Sequence, residues 1–182
     1  MATAVHTLDG TYELDRTHST VQFAVQHLGI STFRASFGDV DARLTIEEGV
    51  TGLDARARVE SVSIVDPPEF RQHVVRGNDF FAANDYPLIT FRSTRVAVDE
   101  DGRLRVSGEL SMRGVSRVVT ASGVFIPPTE DPFGGQRLGI ALAATIDRQD
   151  WGMGWQTPLP SGGDALGWKV EVSAHLELTR TP

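Results

Sequence analysis

Residues 138–146 read LGIALAATI and residues 170–178 read VEVSAHLEL. In each, apolar side chains fall at every second position: Leu138, Ile140, Leu142, Ala144 and Ile146 in the first, Val170, Val172, Ala174, Leu176 and Leu178 in the second. A β-strand sends successive side chains to opposite faces, so this period puts one face in a core and the other in water. The alternation recurs at Val21, Phe23 and Val25; at Val40, Ala42, Leu44 and Ile46; at Ala55, Ala57 and Val59; at Ile89, Phe91 and Ser93; and from Leu104 through Val106, Gly108 and Leu110 to Met112. Between the runs stand Asp9-Gly10, Glu48-Gly49, Asp101-Gly102, Gly134-Gly135 and Gly162-Gly163, pairs that accept the positive φ of tight hairpin turns. The pattern predicts sequential antiparallel strands, some of nine or ten residues reaching about 30 Å. A sheet that tall curls or closes, and closure removes its edges, so strand length favours a barrel over a sandwich.

One helix is predicted to interrupt this meander at about 67–76. Asp66-Pro67-Pro68-Glu69 offers an N-cap carboxylate, prolines for the first turn and a capping-box acid. Phe70, His73 and Val74 share a helical face, and Gly77 is placed to end the helix. Asn78-Asp79-Phe80-Phe81 and Asn84-Asp85-Tyr86-Pro87 read as capped turns carrying aromatics inward. Trp151, Trp155 and Trp168 bracket a Pro/Gly-rich stretch, 156–167, that is too long for a hairpin turn. It reads as a rim loop over a pocket entrance or as an ordinary surface excursion.

A chain of 182 residues with 40% hydrophobic content is read as one domain, 1–182, with 1–10 as an N-terminal extension. The net charge of −7, from 24 acidic and 17 basic residues, provides no overall positive field for nucleic acid or an anionic membrane. The absence of cysteine excludes disulfides, thiolate metal sites and cysteine nucleophiles. No stretch approaches the roughly 20 apolar residues that span a bilayer. The start, MATAVHTLDG, lacks the basic and apolar regions of a secretory signal. Cytoplasmic residence without stable membrane insertion is the expectation.

No GxSxG elbow, Walker loop, HExxH or dinucleotide glycine pattern is present. His6, His18, His27, His73 and His175 show no spacing that converges three ligands, so no metal site is expected. His18 reads as a hydrogen-bonded residue at a strand start beside Ser19, while His27, in phase with Phe23 and Val25, can face the lumen. Arg148, between Asp147 and Asp150, has two readings: a paired, solvent-facing arginine at a strand end, or a guanidinium at the barrel mouth against an anionic or carbonyl head group. Arg113 and Arg117, around Gly114, share the second reading. Phe23, Phe37, Phe80, Phe81 and Phe91 are either core or cavity wall, because an eight-stranded barrel is wide enough to be filled by its own side chains or to hold one slender ligand.

Taken in order, several segments resemble the YceI-like proteins. These are YELDRTHSTVQF at 12–23 followed by His27-Leu28-Gly29, Asn78-Asp79-Phe80-Phe81 with YPLITF at 86–91, GELSMRGV at 108–115, and IDRQDWG at 146–152. The resemblance runs from Tyr12 to about Arg180. One departure is that the family's Arg-Asp-x-His-Leu stands here as Arg71-Gln72-His73-Val74, without the acid. Many family members also carry a secretory leader.

The resemblance implies an all-β fold, an extended eight-stranded antiparallel lipocalin-like barrel with the helix at its outside or end. It further implies non-catalytic binding, transport or storage of a long polyisoprenoid lipid, such as an isoprenoid quinone or polyprenyl phosphate, by a homodimer with no other cofactor. Buried hydrocarbon is stabilised by about 0.8 kcal/mol per CH₂, so such a ligand needs few polar contacts. The expected lumen residues are Phe23, Val25, Phe37, Phe91, Leu110, Leu142 and Ile146, with Phe80 and Phe81 near the helix. His27, Arg148, Trp151 and Trp168 are expected at the head group or mouth. The alternatives are an isomerase or hydrolase acting on a lipid inside the barrel, and an interaction module with a filled core.

Overall fold

The alternating segments become strands in a computed structural model that describes residues 8–48 and 50–182. The elements are β1 (Gly10–Leu14), β2 (Thr20–His27), β3 (Ser31–Phe37), β4 (Val40–Glu47), β5 (Val50–Arg58), α1 (Pro68–Arg76), β6 (Leu88–Val98), β7 (Arg103–Met112), β8 (Val115–Glu130), β9 (Gln136–Asp147) and β10 (Leu166–Arg180). Single 3-10 turns occupy Val59–Ser61 and Arg148–Trp151. The extension to residue 7, His6 within it, and Gly49 of the expected Glu48-Gly49 turn lie outside the described residues.

Eight strands close a ring in the order β1-β4-β5-β6-β7-β8-β9-β10, with β10 returning to β1. β10 makes the ring tall. Along one edge it pairs with β9 from Lys169 to Thr179; along the other, its last residues pair with β1 and the preceding stretch, back to Leu166, pairs with β2. β3 lies against β2 and reaches Val62 through a bridge at Phe37. The β2–β3 hairpin therefore continues, as an upper storey, the wall that β1 and β4 form below. Fifteen residues in β10 span about 50 Å, which no single short strand could line. The prolines at 127 and 128 in β8 coincide with a register shift between Ile126 and Thr129, because they cannot donate to the ladder.

The two storeys are filled differently. Tyr12, Leu44, Ile46, Leu104, Phe125, Leu138, Ile140 and Leu178 interlock as a solid core in the lower barrel. A second cluster, with Val59, Val62, Val74, Val75, Phe80, Phe81, Met112 and Trp151, joins α1 and the segments after β5 and β9 to the upper end.

The helix matches its expected span but not its expected cap. Pro67 is the N-cap and Pro68 the first helical residue, so Asp66 falls one position too early and the Asp66/Glu69 capping box does not form. Gly77 ends the helix with φ −60°, not in the left-handed region; its amide donates to the His73 carbonyl at 2.8 Å. Glycine is needed there for closeness, since a Cβ would sit 2.5 Å from that carbonyl oxygen. The acid missing before His73 is replaced from elsewhere. Glu60 receives Arg71 and Arg76, while His73 bonds Asp79 at 3.0 Å. Tyr86, expected inward, is exposed.

Below the helix-capped end, Asp15, His18, Arg137, Glu177 and Asp131 form a linked ion cluster where β1 passes into β2. Asp15, His18 and Glu177 have ligand atoms within 4.8 Å of one another, but Arg137 already holds both carboxylates at 2.6 and 2.8 Å. Hydrogen bonding to His18 and then Arg137 holds Asp15 well below the usual carboxylate range, and Asp15 in turn raises His18 above its ordinary value.

Two outcomes are expected. The Tyr12 hydroxyl is buried without a hydrogen-bond partner among the described residues, so Tyr12→Phe should leave thermal stability unchanged or raise it by about 1 kcal/mol. His18 has a raised pKa, so its stabilising contribution is complete below about 6.5 and is lost as pH climbs through the raised value. Asp15 contributes above the unfolded carboxylate value near 3.9 and loses that contribution as pH falls. The melting-temperature gap between wild type and His18→Gln should be widest between these limits and close toward alkaline pH.

A candidate ligand-binding cavity

Between the solid lower core and the helical cap lies a cavity of about 800 Å³. It falls within the range of roughly 300–1,000 Å³ that small-molecule sites occupy. Its origin is a change in side-chain size along the strands. On β10 the inward residues pass from Leu178 and Leu176 to Ala174, Val172 and Val170; on β9, from Leu138 and Ile140 to Leu142, Ala144 and Ile146; on β8, from Phe125 to Ala121 and Val119. Large residues meet across the axis below, and alanines cannot meet above. Gly108 follows the same logic on β7: a Cβ would lie 2.7 Å from the Phe91 ring, so glycine lets that aromatic stand in the wall.

Phe23, Val25, His27, Phe37, Phe80, Phe81, Phe91, Leu110, Leu142, Ile146 and Arg148 all line this space. Phe23 packs against Phe37 and Phe81 at ring separations of 5.7 and 6.3 Å. The mouth is marked by lining residues that are also exposed: His27 at the end of β2, and Asp66, Pro67, Phe70 and His73 at the start of α1. Phe70 meets Phe33 of β3 edge-on at 5.8 Å, which seats the helix on the hairpin.

Two expected contacts lie off the lumen. Trp151 is 1% exposed, stands behind the wall and donates Nε1–H to the Leu110 carbonyl at 3.1 Å. Trp168 lies under the Arg148 guanidinium, 4.1 Å from ring centroid to Cζ, and donates Nε1–H to Asp164 at 2.8 Å. Trp155, stacked on Phe80 at 5.6 Å, is the tryptophan that lines the cavity. Val119, Ala121, Val170, Val172 and Ala174 also line it; period-two phase on β8 and β10 identifies them. Met112 and Val74 follow from the phase of β7 and the face of α1, whereas Met153 had no such signal, because the segment after β9 that brings it there carries no period.

Arg148 is not the paired, solvent-facing arginine of its first reading. It is 4% exposed and makes no ion pair among the described residues. Instead it donates from Nε to Gly167 at 2.9 Å, from Nη1 to Met153 at 2.8 Å and from Nη2 to Leu166 at 3.4 Å, all backbone carbonyls. Burial lowers its pKa, yet arginine stays charged in proteins. It thus binds both ends of the 153–167 loop to the barrel and puts a guanidinium, offset by Asp147 and Asp164 without an ion pair, on the wall of a largely apolar space. Arg113 acts similarly from below, donating to the carbonyls of Trp151 at 2.9 Å and of Phe80; Arg117 is exposed and outside the lumen.

His73 at the mouth bonds Asp79, which does not itself line the cavity, and among the described residues no hydroxyl is bonded to the pair. Hydrocarbon sequestration is what the remaining wall can do. Arg148→Ala should release the loop: faster amide exchange and protease cleavage within 153–167, with a stability loss of about 2–4 kcal/mol, is the expected outcome. Arg148→Lys should fall between, since an ammonium cannot serve carbonyls in three directions with a fixed fork.

The YceI-like domain profile matches residues 12–178. A UPF0312 protein of Staphylococcus epidermidis is 29% identical over 170 residues, covering 92% of this chain and 96% of its own. Protein YceI of Shigella flexneri is 32% identical over 143 residues, covering 77% and 74% respectively. Among solved structures, the Campylobacter jejuni YCEI protein superposes with a TM-score of 0.71 at 21% identity, over 86% of this chain and 90% of that one. A polyisoprenoid binding domain from Saccharophagus degradans superposes at 0.65 with 16% identity, over 93% and 98%. The structural matches share the barrel, and the sequence match spans nearly all of it: the chain belongs to the YceI-like family.

Proposed function

We propose that the protein carries or stores a long-chain polyisoprenoid lipid, an isoprenoid quinone or a polyprenyl phosphate, in its upper lumen without converting it. The supporting observation is a cavity of about 800 Å³ walled mostly by apolar side chains. At about 30 Å³ per non-hydrogen atom, the volume a water takes in the liquid, it accommodates on the order of 25 carbons, or five isoprene units. The Saccharophagus degradans relative is described as a polyisoprenoid binding domain, which supports the same ligand class here. Phe23, Phe37, Phe91, Leu142 and Ile146 grip the chain, while His27 and the Arg148 guanidinium, which makes no ion pair among the described residues, receive the head group. A hollow upper barrel argues against the filled-core interaction module. The homodimer implied by the resemblance belongs to this reading and would sediment at twice the chain mass.

Organic extraction of purified protein followed by mass spectrometry should yield a prenyl lipid in near-stoichiometric amount. Ala121→Phe and Ala144→Phe, which extend into the lumen, should abolish that retention while preserving the fold by circular dichroism. Protein that is reproducibly empty and refuses added prenyl lipids overturns the proposal, and lipid returned chemically altered would favour the enzyme.

A further inference from the structure

The mouth is bordered by apolar side chains that contribute nothing to the cavity. Ile30, at the tip of the β2–β3 hairpin, is 83% exposed, and Val65, immediately before the Asp66-Pro67 entrance to α1, is 72% exposed. Leu28 and Phe70, each 37% exposed, stand beside them. The pieces share one edge: the Leu28 amide bonds Ala165 of the rim loop at 2.8 Å, Ser63 bonds Ser36 of β3 at 2.8 Å, and Phe33 meets Phe70. Phe70 belongs to both surfaces, so the outer apolar rim runs without interruption into the lumen wall. An exposed large apolar side chain is ordinary singly; four around one opening are not.

We infer that this rim is a docking surface for a zwitterionic lipid bilayer, placing the mouth against the hydrocarbon so that a prenyl chain enters the barrel without crossing water. This rests on the lumen being a lipid site. Charge selects the kind of surface. The hairpin tip from His27 to Thr32 carries no lysine, arginine or carboxylate, and Asp66, Glu69 and Asp164 are the nearest charges in the helix start and rim loop. The nearest basic group, Arg34, is a single arginine bonded to the Thr32 carbonyl at 3.4 Å, so the border has no cluster of basic residues to bind anionic lipid and holds by apolar insertion. Continuity of the rim with the cavity favours a bilayer over a protein partner, because the cargo named above partitions into the bilayer.

The test uses wild type, the double variant Ile30→Asp with Val65→Asp, and the milder Ile30→Gln. Neither position lines the cavity. Each protein is floated with phosphatidylcholine vesicles, and each is separately given geranylgeraniol from vesicle-free solution, with uptake read by extraction and mass. Wild type should float, the double variant should lose about tenfold or more in bound fraction, and Ile30→Gln should fall between. Binding should persist at about 0.5 M salt, where charges are screened within a few Å. Uptake from solution should be equal in all three. The inference is overturned if wild type does not float, if the double variant floats equally, if binding requires anionic lipid and disappears with salt, or if the variants instead convert a dimer to monomers. Flotation as expected with no uptake by any protein would overturn the lipid-lumen reading alone.

Discussion

Everything in this molecule depends on β10 being held along both edges for most of its length. β9 occupies one edge from Lys169 to Thr179, and the other is divided between β1 and β2, so a strand longer than any of its partners has most of its backbone groups paired. The division allows the chain to build two storeys on one ring. It also carries Asp15, His18 and Ser19 to the junction, where Ser19 Oγ accepts from the Glu177 amide at 2.9 Å and the ion cluster closes the gap between β1 and β2.

Given a tall ring, side-chain size divides it into core and container. Leucine, isoleucine, tyrosine and phenylalanine meet across the lower axis and form a stable floor; above it, Ala121, Ala144 and Ala174 leave a space that phenylalanines and aliphatic side chains wall. The floor stabilises the fold, and the space is therefore free to be shaped for binding. At the upper end, two arginines perform what a hydrophobic core cannot. Arg113 and Arg148 tie irregular backbone to the barrel through carbonyl oxygens that water would otherwise solvate. The charge of Arg148 is thus structural first: it holds the loop through carbonyl oxygens, and the carboxylates of Asp147 and Asp164 offset it without an ion pair.

Strand faces, the helix span and most of the lumen wall were legible before any coordinates, because β-structure obeys a period of two and that period can be counted. Phase puts Phe23, Val25, Leu142 and Ile146 on inward faces, and the family resemblance assigns them, with Phe37, to a lumen that they do line. The tryptophans were not separable in this way. Trp151, Trp155 and Trp168 sit in or beside irregular backbone, where spacing carries no facing information, and only Trp155 reaches the cavity. The helix cap misled for a related reason: two consecutive prolines shift the first helical residue past Asp66, although each residue type by itself is a good helix start.

The sequence by itself determined that the chain is all-β with one helix, that its strands are too long for an open sheet, and that apolar residues far outnumber reactive ones on their inward faces. These properties are local, set by turn chemistry and by which side of a strand each residue faces. Only the tertiary structure decided that the barrel is solid below and hollow above, that Arg148 is buried on backbone carbonyls and not on an ion pair, and where the mouth opens. Each depends on which side chains from distant strands meet across the axis, a distance that no spacing along the chain records.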